Sequence, residues 1–381
     1  MGAAVPHSRR CRGAGRGLRH PMKIIPYLIL AVIGWFHFVE AVEAGETGRY
    51  LFMASPDGAQ AEGSSGEGIM VFAMDDGHKL VRRVPIPSFA DGIRGLTGSA
   101  VSKCLYFSTT KLRMGCFDLE KNQVKWEKTY AAGCDRSCVS ADGKTVYAPS
   151  GWWSGTENSG FLVIDAADGT LKKRIPVGPM AHNSLTSVDG KMFFLGTQTR
   201  LTIFDARDES VIRVVEPVGE QGVFPFTVDH ANKFAYVCLG AHVGVDVVEI
   251  ATGKVLHRVM AGPEPIAHRT HGVALTPDER ELWISDQEGK QLFVFDATQM
   301  PPKQVASVPL STGGHGWVNF SLDGKFAYCH TPDIFDAKTR QKIGEFKDEK
   351  GKPVSSSKFI EVHLRDGRVE AVGCEFGLGR K

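Results

Sequence analysis

The sequence predicts an all-β protein built from one repeated four-stranded unit, and three observations support this prediction. Short runs rich in Val, Ile, Phe and Tyr recur along the 381 residues, as is typical of β-strands. Gly is abundant, at 43 residues, and Asp-Gly pairs separate several apolar runs, as tight hairpin turns require. No stretch shows the long apolar period of an amphipathic helix.

The clearest copy of the repeat begins at His271. It contains an apolar strand, the turn Thr276-Pro277-Asp278, a second strand over 281–286, and a third over 291–296 followed by Ala-Thr. Copies recur about every 40–48 residues, a period typical of repeat architectures. The other copies begin near Ile93, Asp135, His182, Phe224 and His315.

One four-stranded unit cannot bury its own faces, so the copies must stack and the ring must close. Six internal copies predict six blades. The chain ends predict the seventh, with three outer strands near 50–53, 68–72 and 80–86 and an innermost strand over 357–364. Residues 45–381 are thus expected to form a single domain, a seven-bladed β-propeller of four-stranded antiparallel blades closed by pairing N- and C-terminal strands. Residues 368–373 give one strand too many, so six or eight blades are the alternatives.

Residues 1–44 are predicted to be an N-terminal extension and a signal peptide. Lys23 precedes an apolar run over 24–39, and the small residues of 41–44 offer a cleavage site. The run contains Pro26 and His37 and is short for a spanning helix, although an uncleaved anchor is the alternative. We therefore expect a periplasmic or secreted protein with no stable membrane span after cleavage. Six Lys or Arg and two Glu lie within residues 1–44, so the formal net charge of +2 becomes −2 for the rest of the chain, and a near-neutral body gives no reason to expect nucleic-acid binding.

The order of strand, Thr-Pro-Asp turn, strand and Val-Phe-Asp-Ala-Thr resembles the YVTN-type and lactonase-like propeller repeats. This resemblance covers roughly residues 46–381, with Tyr236-Val-Cys-Leu in place of Tyr-Val-Thr-Asn. It implies ring-closed blades and a funnel lined by the innermost strands. Such propellers include lactonases, lyases, redox subunits and binding proteins, so the resemblance implies no single activity.

In a propeller, the loop that enters each innermost strand faces the central channel. Aligning the copies places charged, imidazole and aromatic side chains in these loops. They are Arg94, Asp135, Arg136, His182, Asn183, Phe224, Phe226, His268, Arg269, His271, His315, Trp317 and Lys358. Because Asp135 alone is acidic, the set predicts a cationic pocket for a small anionic or polyhydroxylated ligand.

The chemistry of these residue types suggests separate roles. For catalysis the candidates are His182, His271 and His315 together with Arg136 or Arg269, since an imidazole base beside an arginine can remove a proton next to a carboxylate or assist lactone opening. The expected ligand-binding residues are Arg94, Asp135, Asn183, His268, Trp317 and Lys358. A divalent metal is a further candidate, with His268 and His271 as ligands and His182 or His315 completing the set. The alternative is a water-filled channel whose imidazoles bond to their own loops.

Two functions follow. The first is an exported propeller that binds a small anionic or carbohydrate ligand in its funnel, with lyase or lactonase chemistry on an acidic sugar as its catalytic form. The second is a non-catalytic scaffold for a protein partner, or the structural subunit of a periplasmic oxidoreductase. A channel plugged by Phe224, Phe226 and Trp317 would favour the scaffold. The Trp152-Trp153 pair either stacks on a sugar or covers a blade edge.

Overall fold

The computed structural model describes residues 46–57, 66–152, 159–220, 225–286, 288–373 and 379–380. These residues belong to one compact unit. The predicted extension and signal peptide, residues 1–44, lie outside the described residues. Within the described part, no helix is long and apolar enough to cross a membrane.

The described chain starts with three antiparallel strands: β1 (Gly48–Ser55), β2 (Gly68–Ala73) and β3 (Lys79–Val84). Two short 3-10 segments flank β3, at Met74–Asp76 and Pro87–Asp91. These three strands are the outer part of a blade that the other end of the chain completes.

Six blades follow, each made of four consecutive antiparallel strands. Blade 1 contains β4 (Ile93–Ser99), β5 (Cys104–Thr109), β6 (Arg113–Asp118) and β7 (Gln123–Thr129). Blade 2 contains β8 (Cys138–Val139), β9 (Thr145–Ser150), β10 (Gly160–Asp165) and β11 (Leu171–Pro176). Blade 3 contains β12 (Asn183–Thr186), β13 (Met192–Thr197), β14 (Arg200–Asp205) and β15 (Val211–Val215).

The next three blades repeat this order. Blade 4 contains β16 (Phe226–Val228), β17 (Phe234–Cys238), β18 (Gly244–Glu249) and β19 (Lys254–Met260). Blade 5 contains β20 (Thr270–Leu275), β21 (Glu281–Asp286), β22 (Gln291–Asp296) and β23 (Lys303–Pro309). Blade 6 contains β24 (Val318–Phe320), β25 (Phe326–Cys329), β26 (Asp333–Asp336) and β27 (Gln341–Glu345).

Strand β28 (Phe359–Arg365) completes blade 7 by pairing with β1. Phe52 lies opposite Ile360 and Tyr50 opposite Val362 in this antiparallel register. The prediction of seven four-stranded blades, closed by N- and C-terminal strands, is therefore confirmed.

Two further strands, β29 (Arg368–Gly373) and β30 (Gly379–Arg380), extend blade 7 on the edge of β28 that faces away from β1. This accounts for the surplus strand in the sequence. In the other six blades the innermost strand ends its sheet, as far as the described residues go. The extra hairpin therefore lies on the axial side of β28, where Val372 is buried and packs against Gly98 of β4.

The repeated hairpin turn between the first and second strands of a blade has a common chemical basis. In blade 2, the hydroxyl of Ser140 donates to Oδ1 of Asp142 at 2.6 Å, and that oxygen accepts from the backbone N–H of Lys144. Gly143 follows with φ of +69°, a conformation in which a side chain would be strained. The same Ser-to-Asp bond forms at Ser187 and Ser321.

The core lies between neighbouring blades, because the three inner strands of each blade are buried on both faces. One cluster joins Phe52 and Val71 of blade 7 to Leu96 and Phe107 of blade 1. The outermost strands are instead largely exposed to solvent, and their exposed apolar residues include Val211, at 53% exposure. The six cysteines in the described part are buried and free of disulfides.

Substitution of Phe52 tests whether pairing of β1 with β28 closes the ring. Phe52→Ala removes a side chain that is 1% exposed on the strand that pairs with β28, so unfolding in denaturant should need about 3–5 kcal/mol less free energy. Val211→Ala on an exposed outer strand is the control, with an expected change within about 0.5 kcal/mol. Equal effects of the two substitutions would contradict a ring closed at β1.

Candidate functional site

The residues that begin the innermost strands of neighbouring blades lie side by side. Arg136 forms a parallel bridge with Asn183, and Asp57 forms one with Ile93. The hydroxyl of Ser184 donates to the carbonyl oxygen of Arg136 at 2.8 Å. These contacts bring together the segments from which the predicted site was built.

Two glycines make this close approach sterically feasible. A Cβ on Gly95 would lie 2.9 Å from Cα of Arg136, and one on Gly272 would lie 2.7 Å from Cα of Trp317. Real Cβ atoms do not approach backbone atoms so closely, so a side chain at either position would push the neighbouring strand away. The two glycines therefore set the positions of Arg136 and Trp317.

Asp135 joins an arginine and a histidine from the adjoining blades. Its Oδ2 accepts a hydrogen bond from the guanidinium of Arg94 and another from Nδ1 of His182 at 2.8 Å. Its Oδ1 has no hydrogen-bond partner among the described residues. Since Nδ1 of His182 donates, Nε2 is the atom of this ring that can accept a proton.

Three predicted histidines form a continuous group. The ring centroids of His271 and His315 are 3.7 Å apart, and those of His271 and His182 are 6.5 Å apart. Nδ1 of His271 donates to the carbonyl oxygen of Gly316 at 2.9 Å. Trp152 covers His182 with a centroid separation of 4.2 Å, which gives this tryptophan a place at the site.

Two buried cations lie against one aromatic ring. The guanidinium carbon of Arg136 is 3.4 Å from the ring centroid of Trp317, and Nζ of Lys358 is 5.8 Å from the same centroid. Arg136 is 3% exposed and Lys358 is 1% exposed. Cation–π attraction offsets part of the free energy lost when these charges leave water.

Lys358 is held at the closure of the ring. Its ammonium donates to the hydroxyl of Ser357 at 2.7 Å and to Oδ2 of Asp57 at 3.3 Å. The same Asp57 oxygen also accepts from the hydroxyl and the backbone N–H of Ser357. Asp57 follows β1 and Lys358 precedes β28, so this network exists only when the two ends of the chain meet.

Burial lowers the pKa of both cations, because it disfavours their charged forms. It lowers the pKa of Arg136 to about 9, against the opposing attraction of Asp57 and Asp135. Burial and then the positive charge of Arg136 lower the pKa of Lys358 to about 7. At neutral pH, Lys358 is therefore divided between its charged and neutral forms.

The histidines and the carboxylates of the site all have lowered pKa values, which favours neutral imidazoles and ionised carboxylates. Burial, and then the charge of Lys358, lower the pKa of His315 to about 2, and burial also lowers the pKa values of His182 and His271. Burial tends to raise the pKa of Asp57, but Lys358 and Ser357 outweigh it and bring that pKa to about 2. At pH 7 the site thus holds neutral imidazoles, ionised carboxylates and a partly protonated lysine.

Four residues predicted for the site lie elsewhere in the structure or outside the described residues. Nδ1 of His268 is 3.0 Å from Oδ2 of Asp286, and this hydrogen bond raises the pKa of the half-exposed imidazole. Arg269 is exposed. Phe226 is buried in the core between blades, and Phe224 lies outside the described residues.

No three His, Cys, Asp or Glu side chains of the described residues are grouped as a metal site requires. His268 bonds to Asp286, whereas His271 bonds to Gly316 and packs on His315. A divalent metal at His268 and His271 stays a prediction.

Two residues of the site were missed in the sequence, Asp57 and Ser357. Asp57 stands in Ser55-Pro56-Asp57, which looks like the hairpin turn at Thr276-Pro277-Asp278. It lies instead beyond the second strand of blade 7, beside the start of β4. Counting strands from the closure would have placed it next to Lys358.

Comparisons with known proteins show the fold alone. No protein-family model matches the sequence, and no curated protein is significantly similar to it. The solved structure of hydrazine synthase from Kuenenia stuttgartiensis is similar at a TM-score of 0.55 and 18% identity, covering 65% of this chain and 77% of that chain. Membership of the YVTN-type or lactonase-like family stays a prediction.

Gly272→Ala tests how the blades position the site. The added Cβ would meet the backbone of Trp317 and, at 2.6 Å, the hydroxyl of Ser285, so we expect a loss of about 1–3 kcal/mol in the free energy of unfolding. Gly344→Ala is the matched control, since its nearest contact, with Ile334, is an ordinary 3.6 Å. Denaturant unfolding measures both, and equal stability of the two variants would contradict this role of Gly272.

Proposed function

We propose that this chain is an exported propeller that binds a small organic anion, such as an acidic sugar, where its innermost strands begin. The observation that carries the proposal is the burial of Arg136 and Lys358 against the single ring of Trp317. Two neighbouring like charges disfavour each other when water is excluded. A carboxylate bound between them would offset that cost and restore the proton of Lys358.

The charged groups around Arg136 and Lys358 favour binding of an anion over binding of a cation. Arg94 adds a third positive charge, while Asp57 and Asp135 are already bonded to Lys358, Ser357, His182 and Arg94 in the contacts described above. The side-chain amide of Asn183 is completely buried, and neither its nitrogen nor its oxygen has a hydrogen-bond partner among the described residues. Buried polar atoms of this kind are usually satisfied, and a polar ligand would satisfy them.

Exposure indicates how a ligand reaches the cations. Arg94, Trp152 and His315 are partly exposed, whereas Arg136, His271 and Lys358 are buried. The partly exposed residues contact the buried ones, as Trp152 does at His182 and His315 at His271. A ligand would therefore pass the partly exposed side chains before meeting Arg136 and Lys358.

The same observations favour ligand binding over a pure scaffold. A plug of Phe224, Phe226 and Trp317 was expected for the scaffold. Of the two that the structure describes, Phe226 packs between blades and Trp317 carries Arg136 on its ring. The exposed apolar residues are spread over the outermost strands of different blades, with Leu171, Val255 and Ile343 as examples. Scattered exposure of this kind is normal for a soluble protein surface.

Lactonase or lyase chemistry is a second candidate at this site, and the Asp135–His182 pair favours it. A carboxylate that fixes Nδ1 of a histidine leaves Nε2 oriented as a base, which is the usual arrangement of an imidazole in proton transfer. Arg94 and Arg136 would stabilise the negative charge that develops on a lactone or next to a carboxylate.

Binding should depend on the charge of Lys358. We expect glucuronate to bind and glucose not to, with Lys358→Met weakening the glucuronate affinity at least about tenfold, as loss of a charged partner does. Because the pKa of free Lys358 is about 7, the affinity should be constant below that pH and fall by up to about tenfold per pH unit above it. Isothermal titration calorimetry across pH measures both.

Arg258→Gln is the control for this experiment. Arg258 forms a bidentate ion pair with Asp246 away from Trp317. The Arg258→Gln variant should therefore bind glucuronate with the affinity and pH dependence of the unmodified protein. Absence of binding by any small carboxylate, or an equal loss in Arg258→Gln, would contradict the proposed function.

Catalysis is tested separately with a sugar-acid lactone. His182→Gln should slow lactone hydrolysis by about 10²–10⁴-fold, the usual contribution of a general base. His230→Gln serves as control, since His230 lies near Glu279 and outside the site. Hydrolysis is followed by acid release at constant pH, and an unaltered rate in His182→Gln would exclude this histidine as the base.

A further inference from the structure

We propose that Lys358 is a nucleophilic amine that forms an imine with the carbonyl group of a small 2-oxo carboxylate bound at the same site. This inference rests on the proposed anion binding and adds a substrate class and a covalent step. It is carried by the contacts of Nζ, by the charges around it and by a contrast with a second lysine, Lys342.

Lys358 lacks a close carboxylate of its own. Its distance to Oδ2 of Asp57 is 3.3 Å, and that oxygen also accepts two bonds from Ser357. Lys342 is different, because its ammonium lies 2.7 Å from Asp333 and 2.6 Å from Glu345. Lys342 is thus a firmly paired cation, whereas Lys358 is weakly paired and surrounded by other positive charge.

An amine attacks a carbonyl carbon only in its neutral form. Burial, followed by the charges of Arg136 and Arg94, outweighs Asp57 and lowers the pKa of Lys358 to about 7, so much of the amine is neutral at physiological pH. Hydrogen bonds to Asp333 and Glu345 raise the pKa of Lys342 and keep it protonated. A lysine desolvated beside another cation is a recognised way to activate this nucleophile.

The position of Arg136 selects a 2-oxo acid among carbonyl compounds. Its guanidinium and Nζ of Lys358 lie over the same Trp317 ring. In a 2-oxo acid the carboxylate and the electrophilic carbon are adjacent, so one group can pair with Arg136 while the other faces Nζ. A ketone without a carboxylate would lack the ion pair that orients it.

The covalent step balances without any further reagent. The neutral amine adds to the carbonyl carbon, the C–N bond forms, and the carbonyl oxygen leaves as water with the two protons of the amine. The hydroxyl of Ser357, 2.7 Å from Nζ, is placed to relay these protons, and Asp57 holds that hydroxyl. No oxidant or reductant takes part in imine formation.

Reductive trapping tests the inference on the full chain. Incubation with pyruvate and sodium cyanoborohydride should add one reduced adduct per chain, seen in the intact mass, and peptide mapping should place it on Lys358. The yield at saturating pyruvate should rise with pH, because the bound carboxylate favours the protonated amine and only the neutral fraction of Lys358 reacts. Lys342 is the internal control and should stay unmodified.

Two variants and one inert analogue separate the outcomes. Lys358→Arg should form no adduct even at pyruvate concentrations that saturate this variant in calorimetry, and Ser357→Ala should slow adduct formation more than it weakens binding. Propionate, which has no keto group, should bind without an adduct. Binding of pyruvate without an adduct on Lys358, or adducts on surface lysines only, would overturn the imine while leaving anion binding intact. Absence of both binding and adduct would overturn the proposed function as well.

Discussion

Closure of the ring through β1 and β28 is the constraint on which the rest of the structure depends. Every blade buries both faces of its inner strands against its neighbours, so an open ring would expose two apolar faces. The antiparallel register from Gly48–Leu364 to Met53–Phe359 prevents this by joining segments from opposite ends of the sequence. Hydrogen bonds of Ser356 and Ser357 to Ala54 and Asp57 continue the closure beyond the strands.

Closure of the ring also brings Asp57 and Lys358 of the candidate site into contact. Asp57 and Lys358 are separated by 301 residues in sequence, yet they are hydrogen-bonded to each other. Lys358 is thereby buried between a shared carboxylate and the guanidinium of Arg136, and burial, followed by the charge of Arg136, lowers its pKa against the attraction of Asp57. The folded structure thus holds two buried cations against one aromatic ring, and the free energy of folding must offset the cost of removing these charges from water.

Much of the fold was predictable from the sequence, because Asp-Gly turns and apolar strands recur with a regular period. The grouping of the candidate site was predictable where a residue contacts the adjoining blade, as Arg136 does at Asn183 and His182 does at Asp135. His268 and Arg269 were grouped with them because they precede β20 closely, but the former bonds to Asp286 and the latter is exposed. Asp57 was missed because its sequence imitates a hairpin turn. Local sequence patterns predict the strands, whereas contacts between neighbouring blades and between the two chain ends determine which loop residues meet.

Strand β29 gives the channel two unlike ends. It pairs with the second half of β28, from Val362 to Arg365, while Lys358 and Ser357 precede the first half. At this position Val372 packs against Gly98 of blade 1, and Gly373 lies beside Leu322 of blade 6. The ring is consequently asymmetric on its axial side, because among the described blades only blade 7 carries strands beyond its innermost one.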